Sequence, residues 1–213
     1  MDNITKYSAS DLVKKSSRQM VFLRNKREQI ASAMQRKGIK FQSKVTEEEK
    51  AINKGKVAEE LRGSYSYDNI VIFFCIDMFA NDSFYEIKSI FDKEGNECNT
   101  YEDWYLYNSL LQCALYKSLL MLGNNDVLFT PKFRLKEGFE FEAQSVNKMN
   151  DYFLIFGNIA KYKVTVIDPL KIVEFYKAKI KSLENYDTAT IFDNNYKRKE
   201  FETLLPYFTY TIQ

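Results

Sequence analysis

Asn69 to Phe79 reads Asn-Ile-Val-Ile-Phe-Phe-Cys-Ile-Asp-Met-Phe. This nearly continuous β-branched and aromatic run predicts a strand buried on both faces. One charge, Asp77, interrupts it near its end. The turn signal Ala80-Asn81-Asp82-Ser83 follows, and Phe84 to Phe91 returns as a second apolar run, so the two segments are expected to form a β-hairpin. With the turn centred between Asn81 and Asp82, Asp77 lies directly across from Glu86. Glu86 and Lys88 are two residues apart and share one face of their strand, which points all three charged groups into one space.

Beyond the loop Lys93-Glu94-Gly95-Asn96-Glu97, the pattern changes to helical spacing. Thr100 to Leu122 predicts a helix, with Thr100 as N-cap, Asp103 three residues on, and Gly123 as the stop. Tyr107, Leu110, Leu111, Ala114, Leu115, Leu119 and Leu122 form its apolar stripe. Gln112 and Tyr116 are four apart and stack on one face. Further strands are expected over Asp126–Leu135, Tyr152–Ile159 and Tyr162–Ile167, and a helix over Pro169–Leu183 with proline in its first turn. Lys132, Arg134 and Lys136 alternate along one strand face, and a solvated edge strand accounts for them better than a nucleic-acid contact. Trp104, Tyr105 and Tyr107 could stack on bases, although core packing is the expected role.

The candidate chemistry follows from the hairpin. Two carboxylates a few ångström apart raise each other's pKa unless a cation lies between them, and hard oxygen ligands suit Mg²⁺ or Mn²⁺. Such a metal polarises a phosphate and lowers the pKa of a bound water, while an adjacent ammonium orients that water or stabilises developing charge. The competing reading is a solvated strand edge, because acid-x-Lys is common and recurs in this chain at Glu48-Glu49-Lys50.

Charge is unevenly placed. Residues 1–44 hold 11 Lys or Arg against 3 Asp or Glu, a local balance of +8 in a chain of net +2. Lys14, Lys15, Arg18, Arg24 and Arg27 interleave with Leu12, Val13, Met20 and Leu23 at helical spacing, which predicts one long amphipathic helix or two over about 8–44. The cationic face is either a solvated surface or a phosphate-tracking one.

Composition narrows the class. A chain of 213 residues with 45% hydrophobic content supports one substantial core, and a single domain over 1–213 is expected. Cys75, Cys98 and Cys113 have neither cluster nor zinc-ribbon spacing, so no iron–sulfur cluster, structural zinc or disulfide framework is expected. The sequence shows no charged-then-apolar leader and no run of membrane-spanning length, which implies an intracellular, cytoplasmic protein without membrane contact. Frequent Lys, Asn, Ile, Tyr and Phe suggest a coding sequence low in G and C, as in a phage or virus.

Asp77, then Glu86-Ile87-Lys88, then Gln112-Cys113-Ala114-Leu115-Tyr116, in that order, resembles the RecB-like branch of the PD-(D/E)XK nuclease superfamily. That branch includes CRISPR-associated adaptation nucleases. Tyr7-Ser8-Ala9-Ser10-Asp11-Leu12 is similar to the family's opening Ser-x-Ser before a first helix. Lys54-Gly55-Lys56-Val57-Ala58-Glu59-Glu60 resembles the helix where many members place a further metal-associated acid, with Glu59 the best match and Glu60 next. The resemblance spans roughly Ser8 to Leu122. The chain departs from the family in having no His, so either Glu59 takes the place of a metal-binding His or the site is weakened. It also has three cysteines where an iron–sulfur nuclease has four.

The resemblance implies an α/β fold with a central mixed β-sheet flanked by helices, a restriction-endonuclease-like core, and a Mg²⁺- or Mn²⁺-dependent nuclease acting on DNA, with RNA an open alternative. Asp77, Glu86 and the Ile87 carbonyl would hold the metal, with Glu59 on a water or second ion. Lys88 would position the attacking water, and Gln112 and Tyr116 would orient the hairpin and substrate strand. No Walker-type phosphate loop is present, so a helicase or recombination partner would be another chain. Two other classes fit the same residues: an inactive nuclease-fold module that binds nucleic acid or a protein, and a structural or interaction protein.

Overall fold

The computed structural model describes residues 4–14, 33–52, 57–92, 94, 96–123, 130–131, 149–184 and 196–213. In chain order these form β1 (Thr5–Ser8), α1 (Ala9–Lys14), α2 (Ala33–Ile52), β2 (Val57–Tyr67), β3 (Ile70–Ala80), β4 (Ser83–Lys88) and α3 (Asp103–Leu122). There follow β5 (Thr130–Pro131), β6 (Asp151–Phe156), β7 (Ala160–Val166), α4 (Pro169–Glu184), α5 (Tyr196–Leu204) and β8 (Phe208–Ile212). A short 3-10 turn, Leu205–Tyr207, joins α5 to β8.

The described strands make one mixed sheet in the order β5-β2-β3-β4-β6-β7-β8. β4 runs parallel to β6 and the other neighbours in that order are antiparallel. β1 is parallel to β3 over Thr5–Ser8. Helices cover the sheet on both faces, and the fold is α/β as the sequence implied. The apolar run of β3 is explained by its central place. β2 occupies one edge of β3, while β1 and β4 share the other, β1 against Ile70–Phe73 and β4 against Met78–Ala80.

The main core lies between the sheet and α1, α3, α4 and α5, and includes Leu12, Ile72, Phe74, Ile76, Leu110, Leu115, Leu154, Tyr176 and Phe208. On the other face a smaller cluster of Phe41, Val57, Met78, Ala80, Tyr85 and Ile87 packs beneath α2. β4 is buried on both sides from Ser83 to Ile87, because one face meets each cluster.

Several expectations are corrected. The long helix starts at Asp103 rather than Thr100, with Glu102 as its N-cap and no side-chain capping bond. It is also buried all round from Asn108 to Leu120, not along a single stripe. Ser109 and Ser118 satisfy themselves by donating to the carbonyls of Tyr105 and Ala114, and such satisfaction lets a polar helix face enter a core. Gly123 does end the helix, its N–H donating to the Leu119 carbonyl at 2.9 Å. Glu59 and Glu60 fall in β2 and not on a helix, because pairing with the apolar β3 overrides local helix propensity. Of the strand expected over Asp126–Leu135, Thr130–Pro131 is described; Lys132, Arg134 and Lys136 lie outside the described residues, as do Lys15, Arg18, Arg24 and Arg27. Among the described residues no helix is long and apolar enough to cross a membrane.

Candidate active site

The site forms where the sheet splits. β3 and β4 are joined by the two-residue turn Asn81–Asp82, both residues having positive φ (49° and 55°). That conformation suits the twist of a tight hairpin, and Asn and Asp adopt it at small cost. Pairing runs Ala80↔Ser83, Phe79↔Phe84, Met78↔Tyr85 and then stops. The next position in register would set Asp77 against Glu86. There the ladder is replaced by a side-chain bond, the Asp77 carboxylate accepting the Ile87 backbone N–H at 2.8 Å. Beyond that point β4 follows β6, with Glu86 beside Leu154 and Lys88 beside Phe156.

A second irregularity lies on the other edge of β3. β2 and β3 pair continuously from Val57↔Ala80 to Tyr67↔Ile70 except at Glu60 and Asp77, and Glu60 has φ +50°. The in–out alternation changes phase there on both strands. Ile72, Phe74 and Ile76 enter the main core, as does Phe79, whereas Met78 and Ala80 enter the second cluster; on β2, Ala58 and Leu61 both enter the main core. Asp77 is thus released from ladder pairing on both sides, which leaves its carboxylate to bind the β4 backbone.

Glu86 is the centre of the arrangement. It is 1% exposed. Its Oε1 accepts from the Lys88 ammonium and from Gln112 Nε2 at 2.5 Å. The same Gln112 amide donates to the Tyr116 hydroxyl at 3.0 Å, and the Tyr116 ring packs on Phe74 with centroids 5.7 Å apart. The four-residue spacing on α3 therefore aims both side chains down onto the sheet, Gln112 at β4 and Tyr116 at β3. Burial, then the Asp77 charge, pushes the Glu86 carboxyl up to about 7 against the opposing pull of Lys88. Burial by itself would lower the Lys88 pKa, but the Glu86 and Asp77 charges outweigh it and raise it, so Lys88 stays an ammonium.

The predicted residues divide cleanly. Asp77, Glu86, the Ile87 backbone, Lys88, Gln112 and Tyr116 come together on or beneath the splayed end of the hairpin. Lys14, at the end of α1, joins them electrostatically. It keeps solvent access, yet the protein crowded around it lowers its pKa, as does Lys88, with Glu86 and Asp77 opposing. The Leu12 carbonyl, near the end of α1, accepts Lys179 Nζ at 2.5 Å, and Lys179 also donates to Glu200 Oε2 at 3.0 Å; this buried link fixes the helix that carries Lys14. Glu59 is not brought to the site. It faces α2, where it pairs with Lys50. Glu60 instead takes the position opposite Asp77, and the Cys75 thiol, pushed up to about 11 by burial and then Asp77, also feels Glu60.

Sequence reading missed Tyr152. Parallel pairing sets it beside Phe84, its hydroxyl is buried without a partner, and burial followed by the Glu86 charge raises its pKa. An aromatic in a strand carries no signal of such a position.

The donor set fits a hard divalent cation in part. Glu86 Oε2 and Gln112 Oε1 are buried with no hydrogen-bond partner, and a cation would satisfy the former and hold Glu86 ionised. Among the described residues no three Asp, Glu, Cys or His side chains converge. Two carboxylates with waters and substrate oxygens nevertheless match the way Mg²⁺ is commonly held, since it retains several waters. No protein-family model, curated protein or solved structure matches the chain.

Proposed function

We propose that this chain is a Mg²⁺- or Mn²⁺-dependent nuclease that hydrolyses phosphodiester bonds of DNA. The observation that carries the reading is the treatment of Glu86. One carboxylate oxygen is fixed by Lys88 and Gln112, and the other is buried and unpartnered, beside an Asp77 that is itself locked onto the Ile87 backbone. A purely structural carboxylate would be expected to have its oxygens satisfied.

In this reading Asp77, Glu86 and the Ile87 carbonyl hold the metal, which when bound lowers the pKa of a water and polarises the scissile phosphate. Lys88 orients the attacking water and opposes charge developing on the phosphate. Gln112 and Tyr116 keep Glu86 in one orientation. Lys14 meets the substrate backbone, and Lys15, Arg18, Arg24 and Arg27 add sequence-independent attraction for its phosphates.

The test is incubation of the wild type and Lys88→Ala with end-labelled single- and double-stranded DNA in Mn²⁺, Mg²⁺ and EDTA. Metal-dependent products from the wild type alone are expected. Equal cleavage by both proteins removes the assignment of Lys88. A second reading, a nuclease-fold module that binds without cutting, is favoured by the position of Glu59 across the sheet on Lys50, which leaves the site one acid short of a triad. It predicts bound DNA and no product at any metal concentration.

A further inference from the structure

Next to the Lys88 end of β4 lies a cavity of about 750 Å³, within the size range of small-ligand sites. Trp104 and Tyr105 line it from the start of α3, Tyr101 from the residues just before it, Ser89 from just beyond β4, and Gly38 from α2. The α2 wall comes close, since a Cβ on Gly38 would stand 3.2 Å from Ser89 Oγ. Tyr105 joins the cavity to the site. Its hydroxyl donates to the Ser89 carbonyl at 3.0 Å, one residue beyond Lys88.

Two features define what this cavity can take. Trp104 is 49% exposed although it is the chain's single tryptophan, and its ring is held by an indole bond to Glu102 and an edge contact with Tyr105 at 5.8 Å. A large aromatic fixed in place and left open is a stacking surface. Among the described residues, the lining also contains Asp92 and Glu102 and no Lys or Arg. Such a wall repels phosphate and complements the amino edges of an uncharged, planar heterocycle. Lys14 and Lys88 lie on the Glu86 side, so phosphate and base would be sorted to neighbouring places.

We propose that this cavity receives one nucleobase of the strand being cut, unstacked from its neighbours and laid against Trp104, so that the protein acts on single-stranded or frayed DNA rather than closed duplex. The proposal rests on the nuclease reading for its place in catalysis. Base–aromatic stacking of this sort tolerates any sequence, since every base has a π-face.

The single tryptophan makes the test direct. The intact protein in EDTA is titrated with a short single strand, with an abasic strand of equal length, and with a closed hairpin duplex. Trp104 emission and the anisotropy of labelled copies are followed. The single strand is expected to quench emission and bind about tenfold tighter than the abasic strand, whereas the duplex leaves emission unchanged. Trp104→Ala should erase the preference for bases, and Trp104→Phe should keep most of it. Equal affinity for abasic and base-bearing strands, or equal quenching by duplex, overturns the proposal. A base preference without metal-dependent products would remove the nuclease reading and keep the pocket. Products without a base preference would do the reverse, and no binding of any strand would remove both.

Discussion

The Asp77 carboxylate holds the Ile87 backbone N–H at 2.8 Å, taking the place of the ladder pair that β3 and β4 would otherwise make. The bond keeps the two carboxylate-bearing strands together where their pairing has ended. Asp77→Ala should cost about 1–3 kcal/mol through the unsatisfied N–H and the lost charge-assisted bond, read by urea denaturation. Asp77→Asn keeps an acceptor oxygen and should cost less, while still losing metal-dependent cleavage. Equal destabilisation by the two variants would show that charge, not acceptance, holds the strands.

Lys88 and Glu86 form a pair in which each ion is buried by the same surroundings. Removing one partner leaves the other without compensation, which costs about 3–5 kcal/mol when the survivor stays charged. Glu86 can escape part of this by taking a proton, so Lys88→Met is expected at the low end of that range. Lys88→Met with Glu86→Gln should cost less than the sum of the single changes, a coupling of about 1–3 kcal/mol in a double-mutant cycle. Neither single variant nor the pair should cleave DNA. Additive costs would mean that the ion pair is absent in solution.

The raised pKa of Glu86 fixes the sign of a pH effect. The carboxyl titrates near 7 when folded and near its ordinary 4.5 when unfolded, so between these values the folded state keeps a proton that the unfolded chain has released. Stability of the metal-free protein from this group is therefore full below about 4.5, falls as pH rises through about 7, and is level above. The drop is at most about 3 kcal/mol. Glu86→Gln should flatten it in thermal melts taken across this window. Mn²⁺ favours the ionised carboxylate, so binding should release a proton near pH 7 and tighten as pH rises, measurable by calorimetry in buffers of different ionisation enthalpy.

How much of this was legible depends on how local each cause is. The hairpin is readable because Asn81 and Asp82 are residues that accept positive φ and the flanking strands have a period of two. Those facts alone set Asp77 across from Glu86. Gln112 and Tyr116 are likewise readable, because their spacing is a property of any helix. Glu59 is a different matter. The resemblance sets it on a helix, whereas it lies in β2, and nothing at Glu60 signals the φ of +50° at which the strand changes phase. The all-round burial of α3 also depends on α1, α4 and α5 arriving from distant parts of the chain. Trp104 reads as core from its hydrophobicity, and its exposure follows from the cavity between α2 and α3, a tertiary feature.

The phase change yields a prediction that separates two neighbouring acids. Glu59 is turned toward α2 and paired with Lys50, so Glu59→Gln should leave DNA cleavage unchanged. Glu60 stands opposite Asp77 in a left-handed conformation that costs a non-glycine residue about 1–2 kcal/mol. Its contact with Arg62, at 3.8 Å between half-exposed side chains, contributes little. Glu60→Gly should therefore stabilise the protein by up to about 1 kcal/mol, the relief of strain exceeding the added freedom of the unfolded chain. Because it stands opposite Asp77 in the strand pair, Glu60 should also matter for activity, so Glu60→Gln should lower the cleavage rate without lowering the melting temperature. A more stable Glu60→Gly protein that cuts poorly, beside a Glu59→Gln protein that cuts normally, is the expected pair of results. Normal cleavage by both would leave Asp77 and Glu86 as the only acids the reaction uses, and impaired cleavage by Glu59→Gln alone would mean that the strand phase in solution is the regular one.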